Sequence, residues 1–261
     1  MNILQVEKLN AGYGKKQIVY DFSMEIHAGQ LVGILGPNGC GKSTLIKALC
    51  KSIPYEGQVL IEGRDVQGIT ERELARICSY VPQRSGLSID ISVYDAVMMG
   101  FQPYLRMLEN PNTEMHVKAC EVLTQLGLKE RMSDNYMELS EGQKRLCILA
   151  RSFVSDAKLL LMDEPDAALD FGVRNHCMQL VSQNVKKYQG GVLVALHDIN
   201  LALSYCDSIY LMKEGKLCGI VNPNNDPVEA LEEKLSALYG KIRLIDYVDK
   251  DEKKKIVMVK D

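Results

Sequence analysis

The run LVGILGPNGCGKST at residues 31–44 sends an apolar stretch straight into a loop with three glycines, a lysine and two hydroxyls. A short apolar run bounded by turn signals reads as a buried strand. Gly36, Gly41, Lys42 and Ser43 satisfy the spacing G-x-x-x-x-G-K-[ST], in which backbone N–H groups turn inward around phosphate oxygens. A Cβ at the glycines would obstruct that turn. Lys42 offers a mobile charge to the outer phosphates, and the Ser43 hydroxyl is a ligand for Mg²⁺. The helix predicted to begin near Lys42 aims the positive end of its dipole at the same anion. Strand, loop and helix in series point to nucleotide binding, with Pro37, Asn38, Gly39, Cys40 and Thr44 completing the cradle.

Further along, LLLMDEP at 159–165 reads as a buried strand ending in two carboxylates. In a parallel sheet, ligands gather beyond the carboxyl ends of the strands, where the phosphate loop also lies. Asp163 would then approach the Mg²⁺ shell, and Glu164 could accept a proton from a water attacking the γ-phosphate. Taken alone, the same residues would read as an acidic turn with solvated charges. Between the two motifs, LSEGQKRL at 139–146 has Ser140 followed three residues later by Gln143. That is a capping box opening a helix, and spacing alone favours Ser140 capping its own chain.

Composition narrows the classes. The 261 residues carry a net charge of −3, so no nucleic-acid partner is expected. MNILQVEKLN lacks the basic and apolar regions of a secretory signal. The longest apolar runs, such as VLVAL and LLLM, fall well short of the roughly 20 residues a membrane helix needs. Eight cysteines are scattered without a CxxC pair, which suits reduced thiols rather than disulfides or structural zinc.

Six motifs occur in one order: GPNGCGKST, VPQ at 81–83, LSEGQ at 139–143, LLLMDEP, AALD at 167–170 and ALHD at 195–198. Together they resemble the nucleotide-binding subunit of an ATP-binding-cassette (ABC) transporter, over almost the whole chain. The resemblance implies an α/β fold: a P-loop NTPase (RecA-like) core, an N-terminal antiparallel β subdomain and an inserted α-helical subdomain carrying the signature motif. It also implies ATP and Mg²⁺ as ligands and ATP hydrolysis as the activity. By position, Tyr13 matches the aromatic that stacks on adenine, although a turn or core tyrosine is the plainer reading. Gln83 matches the glutamine that touches Mg²⁺, and His197 the histidine that contacts the γ-phosphate. Asp198 reads as the cap of the following helix, INLALSYC. Ser140, Gly142 and Gln143 match the signature that faces the ATP of a second copy, and Asp170 matches the aspartate that crosses to it. The implied assembly is a head-to-tail homodimer with two ATP molecules between the chains. Glu141, where most signatures have glycine, and Asp166-Ala167, where Thr-Ser is usual, depart from the pattern. Glu141 is expected to point away from the nucleotide.

Residues 1–239 are expected to form one ATPase domain, with 1–84 and 156–220 as nucleotide-binding core and 85–155 as helical subdomain. Short strands are predicted over ILQVEKL, FSMEI and GQVLIEG, and a helix over TEMHVKACEVLTQLGL with Met115, Ala119, Val122, Leu123 and Leu126 on one face. The extension 240–261 reads as a β-hairpin, a solvated edge element. The stretch ISVYDAVMMGFQPYL, with Gly100, Pro103 and Tyr104, resembles the importer ATPases for iron-siderophore, haem and cobalamin uptake. Met98, Met99, Phe101 and Met107 are candidates for an apolar surface docking on an integral membrane permease, core packing being the alternative. A solute-binding protein would be an indirect partner, and the chain would sit peripherally at the cytoplasmic face of the cell membrane. An ABC exporter or a soluble non-transport ABC ATPase are the competing classes.

Overall fold

The computed structural model describes residues 1–83, 87–165, 169–248 and 254–259. The chain opens with two long antiparallel strands, β1 (Asn2–Tyr13) and β2 (Lys16–His27). These are longer than the short strands predicted, because bulges between Val6, Leu9 and Ala11 let the pairing continue through irregular sequence. β3 (Leu31–Leu35) leads through the glycine loop into α1 (Lys42–Leu49), and β4 (Tyr55–Ile61) returns to pair with β1. A two-residue β5 (Arg64–Asp65) completes a sheet of order β2-β1-β4-β5. Next come α2 (Glu71–Ile77), β6 (Cys78–Val81), α3 (Val93–Met98), α4 (Thr113–Gln125) and α5 (Glu141–Phe153). The rest alternates: β7 (Leu159–Asp163), α6 (Phe171–Tyr188), β8 (Gly191–Leu196), α7 (Ile199–Tyr205), β9 (Ser208–Lys213), β10 (Lys216–Val221) and α8 (Val228–Tyr239). A last pair, β11 (Arg243–Val248) and β12 (Lys254–Val259), is antiparallel.

The central sheet has the order β10-β9-β3-β8-β7-β6, with every pairing from β9 to β6 parallel and β10 antiparallel on β9. Its middle strands are buried on both faces, which explains their unbroken apolar runs. In β7, Leu159 and Leu161 face the β1-β2-β4 sheet and α1, whereas Leu160 and Met162 face the helices on the other side. Burying one such side chain stabilises the fold by about 1.5–3 kcal/mol. Registers Leu35↔Leu196, Asp163↔Ala195 and Val81↔Met162 bring the carboxyl ends of four adjacent strands to one level.

Two expectations are refined by the structure. The hairpin is a two-stranded sheet of its own, solvated over Ile245, Tyr247 and Val248 but anchored on one side: Leu244 and Ile256 are buried in the larger core, and the Asn200 amide on α7 pairs with both main-chain groups of Met258. Phe101 is also core, and Met98 packs partly buried against it. Met107 is 91% exposed, so of the four proposed docking residues it is the open one. The Gly100–Tyr104 stretch has structural work here. A Cβ at Gly100 would lie 2.2 Å from the Arg151 carbonyl, and the Pro103 carbonyl accepts from Arg72 and Arg76. The Tyr104 hydroxyl donates to the carbonyls of Arg76 and Ser155.

Candidate functional site

Four elements meet at the carboxyl edge of the central sheet. The loop Gly36–Gly41 follows β3, His197 follows β8, Asp163 and Glu164 end β7, and Gln83 lies two residues beyond β6. The site is thus assembled from neighbouring parallel strands of distant sequence position.

The loop owes its shape to its glycines. Gly41 sits at φ 114, a left-handed conformation, and a Cβ there would lie 2.9 Å from Met212. At Gly36, an added Cβ would strike the Met212 carbonyl at 2.2 Å. Pro37, Asn38 and Gly39 are exposed, whereas Cys40 and Thr44 are buried. The Cys40 carbonyl accepts from Gly215 N–H at 2.8 Å, which ties the loop to the β9–β10 turn. Burial pushes the Cys40 thiol up, against the pull of Lys42.

α1 is unusual in its N-terminus. Helices α2 to α7 each carry a side-chain cap, from Thr70, Ser92, Asn112, Ser140, Asp170 and Asp198 respectively. α1 begins at Gly41 with no side-chain cap and no acidic residue in its first turn, whereas α8, also uncapped, has Glu229 there. The first N–H groups of a helix need a partner, and an anion satisfies them. Lys42 is 3% exposed, with Nζ 2.9 Å from the Gly36 carbonyl and 3.5 Å from that of Pro37. The ammonium therefore lies folded over the cradle that a phosphate would fill.

Ser43 Oγ donates to Asp163 Oδ1 at 2.8 Å. Burial pushes the Asp163 carboxyl up, the Ser43 hydrogen bond opposes this, and the neighbouring Glu164 charge adds to the rise. A buried carboxylate beside a hydroxyl oxygen suits a hard dication, whose charge would offset that penalty. Mg²⁺ commonly takes one or two protein oxygens plus substrate phosphates. No cluster of three or more His, Cys, Asp or Glu suited to a metal occurs among the described residues, and Mg²⁺ on phosphates would not require one.

Glu164 is the most connected carboxylate of the site. Its backbone is left-handed (φ 47), which costs a residue with a Cβ about 1–2 kcal/mol. Gln83 Nε2 donates to Glu164 Oε2, His197 Nε2 pairs with Oε1, and Lys42 Nζ lies 4.0 Å from Oε1. Tyr13, at the end of β1, is 46% exposed beside a cleft lined by Gly12, Gly14, Lys15 and Lys16. An exposed ring there can stack on a base.

The signature residues behave differently. Ser140 Oγ accepts from Gln143 N–H at 3.3 Å, and Gln143 Oε1 accepts from Ser140 N–H at 3.0 Å. A Cβ added at Gly142 would meet Val173 at 3.4 Å, and Glu141 pairs with Lys144 at 3.1 Å within its own helix. Asp170 caps α6, accepting from Val173 N–H at 2.9 Å, and Asp198 caps α7. Among the described residues, no hydrogen bond joins Ser140–Gln143 to the glycine loop. The departures Asp166-Ala167, and the first half of the AALD motif, fall outside the described residues.

Sequence reasoning passed over two side chains that tie distant segments together, the first of them at this site. Arg145 is buried on α5 against Pro82 and Gln83, and Asn200 ties α7 to β12. A signal for Arg145 existed: it shares the apolar face of α5 with Ile148, Leu149 and Ser152 at helical spacing.

Known proteins resemble the chain in sequence and in fold. The sequence model of the family described as "ABC transporter" matches residues 19–167. An uncharacterized ABC transporter ATP-binding protein of Methanocaldococcus jannaschii, MJ0089, is 32% identical over 244 residues, spanning 91% of each chain. The hemin import ATP-binding protein HmuV of Vibrio parahaemolyticus is 31% identical over 244 residues, again spanning 91% of each. A chain of an ABC transporter solved in an inward-facing conformation superposes with TM-score 0.82 at 23% identity, covering 100% of this chain and 98% of that one. A match over more than half the sequence, on a fold whose strand ends gather the nucleotide motifs, places the chain in the ABC transporter family as an ATP-binding ATPase subunit.

Proposed function

We propose that the chain hydrolyses ATP between two copies of itself and so drives import of a metal chelate, of the iron-siderophore, haem or cobalamin class, through a membrane permease. The observation that carries the hydrolytic reading is the meeting of Lys42, Gln83 and His197 around the Glu164 carboxylate at the loop mouth. The solute class rests on the relative named for hemin import, 31% identical over 91% of both chains.

In this reading Tyr13 stacks on adenine, and the amides of Gly36–Thr44 with Lys42 hold the phosphates. Ser43, Asp163 and Gln83 would hold Mg²⁺, which when bound neutralises charge on the outer phosphates. Glu164 takes a proton from water as its oxygen attacks the γ-phosphorus, the bond to the bridging oxygen breaks, and ADP leaves with the electron pair. Gln83 and His197 each hold one oxygen of that carboxylate, which leaves a further lone pair on each oxygen for the water. His197 turns to the γ-phosphate when ATP is bound. Ser140, Gly142 and Gln143 at the N-terminus of α5 meet the ATP of the other copy, and Asp170 crosses to it. Supply of that helix terminus from a second chain makes closure conditional on ATP. The exposed Met107 and Leu108, beside Arg72 and Arg106, offer the permease an apolar and basic surface at the cytoplasmic face. A solute-binding protein would then deliver cargo on the other side.

The test is reconstitution with the permease that co-purifies from membranes. ATP-dependent uptake of hemin or a ferric siderophore into vesicles, abolished by Glu164→Gln, is expected. Normal uptake with that variant would refute the role of Glu164, and outward transport would refute import.

A further inference from the structure

Arg145 lies on the buried face of α5, 6% exposed, five residues beyond Ser140. Its Nη1 donates to the Pro82 carbonyl at 2.5 Å and its Nη2 to the Gln83 carbonyl. Two consecutive main-chain carbonyls are thus held by one planar fork, which a lysine could not reproduce because its ammonium is a point donor. Its neighbour Lys144 instead pairs with Glu141 on the helix surface. Burying a guanidinium is costly, and an apolar residue would fill a helix face at less expense. The arrangement therefore invites a role beyond packing.

That role follows from what Gln83 touches. The side chain whose carbonyl Arg145 grips donates to Glu164. Among the described residues, two side chains, Arg145 and Gln83, connect α5 to the Glu164 carboxylate. We infer that Arg145 is a positioning residue for ATP hydrolysis: it fixes the Gln83 main chain to α5, so that displacement of this helix moves the Gln83 amide on or off Glu164. The inference rests on the reading of Glu164 as the base. Engagement of Ser140 by the second copy's nucleotide would then be felt at the chain's own Glu164 through one buried cation.

The experiment compares steady-state ATPase kinetics of the full chain, Arg145→Lys, Gln83→Ala and the double variant, with circular dichroism confirming the fold of each. Arg145→Lys is expected to lower kcat roughly ten- to a hundredfold, with the ATP KM and the affinity of a fluorescent ATP analogue nearly unchanged. The double variant is expected to be no slower than the slower single one, because both act through the same amide. An unchanged kcat in folded Arg145→Lys overturns the inference, as do losses that multiply in the double variant. If Arg145→Lys does not fold, Arg145→Gln is measured in the same way. Failure of both to fold makes the residue a fold requirement and overturns the inference too. Wild-type chain without ATPase activity would sink the hydrolytic reading itself, and with it the role of Arg145. Active wild type with unaffected variants would sink the role of Arg145 alone.

Discussion

The glycine loop and the start of α5 are both helix N-termini rich in small polar residues, yet they are built in opposite ways. At the loop, α1 has no side-chain cap, and Lys42, Ser43, Asp163, Glu164, Gln83 and His197 converge from four strands. At α5, Ser140 and Gln143 satisfy each other in a closed capping box, with no other side-chain hydrogen bond among the described residues. The first region is an incomplete cradle, whose open N–H groups advertise a ligand. The second is complete as a piece of structure, so one chain's geometry gives no hint of the role proposed for it in a second copy. A site shared between copies would leave only half its logic in each.

Substitutions can break this contrast. The largest effect is expected from Glu164→Gln, which removes the proton acceptor while keeping the shape. Turnover should fall about 10²–10⁴-fold, with ATP still bound and a dimer trapped on size-exclusion chromatography. Near-normal turnover would move the base elsewhere. Lys42→Ala comes next, since it removes the buried ammonium from the cradle. ATP affinity by titration calorimetry should drop by roughly ten- to a hundredfold, in line with a charge-assisted contact worth about 1.5–3 kcal/mol.

Ser140→Arg sharpens the comparison most. It should abolish ATP-driven dimerisation while leaving the nucleotide affinity of the monomer within about twofold. Equal loss of both would assign Ser140 to its own chain. Tyr13→Ala should weaken ATP by roughly two- to tenfold, as expected for one lost aromatic stack. The smallest effect belongs to Asn200→Ala, far from both regions. Losing its two bonds to Met258 should cost about 1–2 kcal/mol, read as a Tm a few degrees lower.

Much of this was visible in the residues. LVGIL, LLLMD and VLVAL appear as strands because a run buried on both faces has no polar alternation to disguise it. The glycine loop was legible because its backbone demands leave few alternatives to glycine. The depth of Phe101 was not, since an apolar residue in a helical run reads alike whether it faces core or partner. Arg145 was missed because a cation in a helix ordinarily reads as solvated, and its carbonyl partners lie more than 60 positions away. The seating of the hairpin depends likewise on the pairing of Asn200 with Met258, which no local pattern announces.

Mixing two crippled chains is the most direct check on the shared site. Lys42→Ala spoils the cradle and Ser140→Arg the signature, so each alone should be inactive. A heterodimer of the two holds one intact cradle facing one intact signature. Each heterodimer that forms therefore keeps one working site and each homodimer none, so the equimolar mixture should be clearly more active than the sum of the two chains measured alone. A mixture no more active than the sum of its parts would mean that each chain completes its own site, and the account of a nucleotide held between two copies would be wrong.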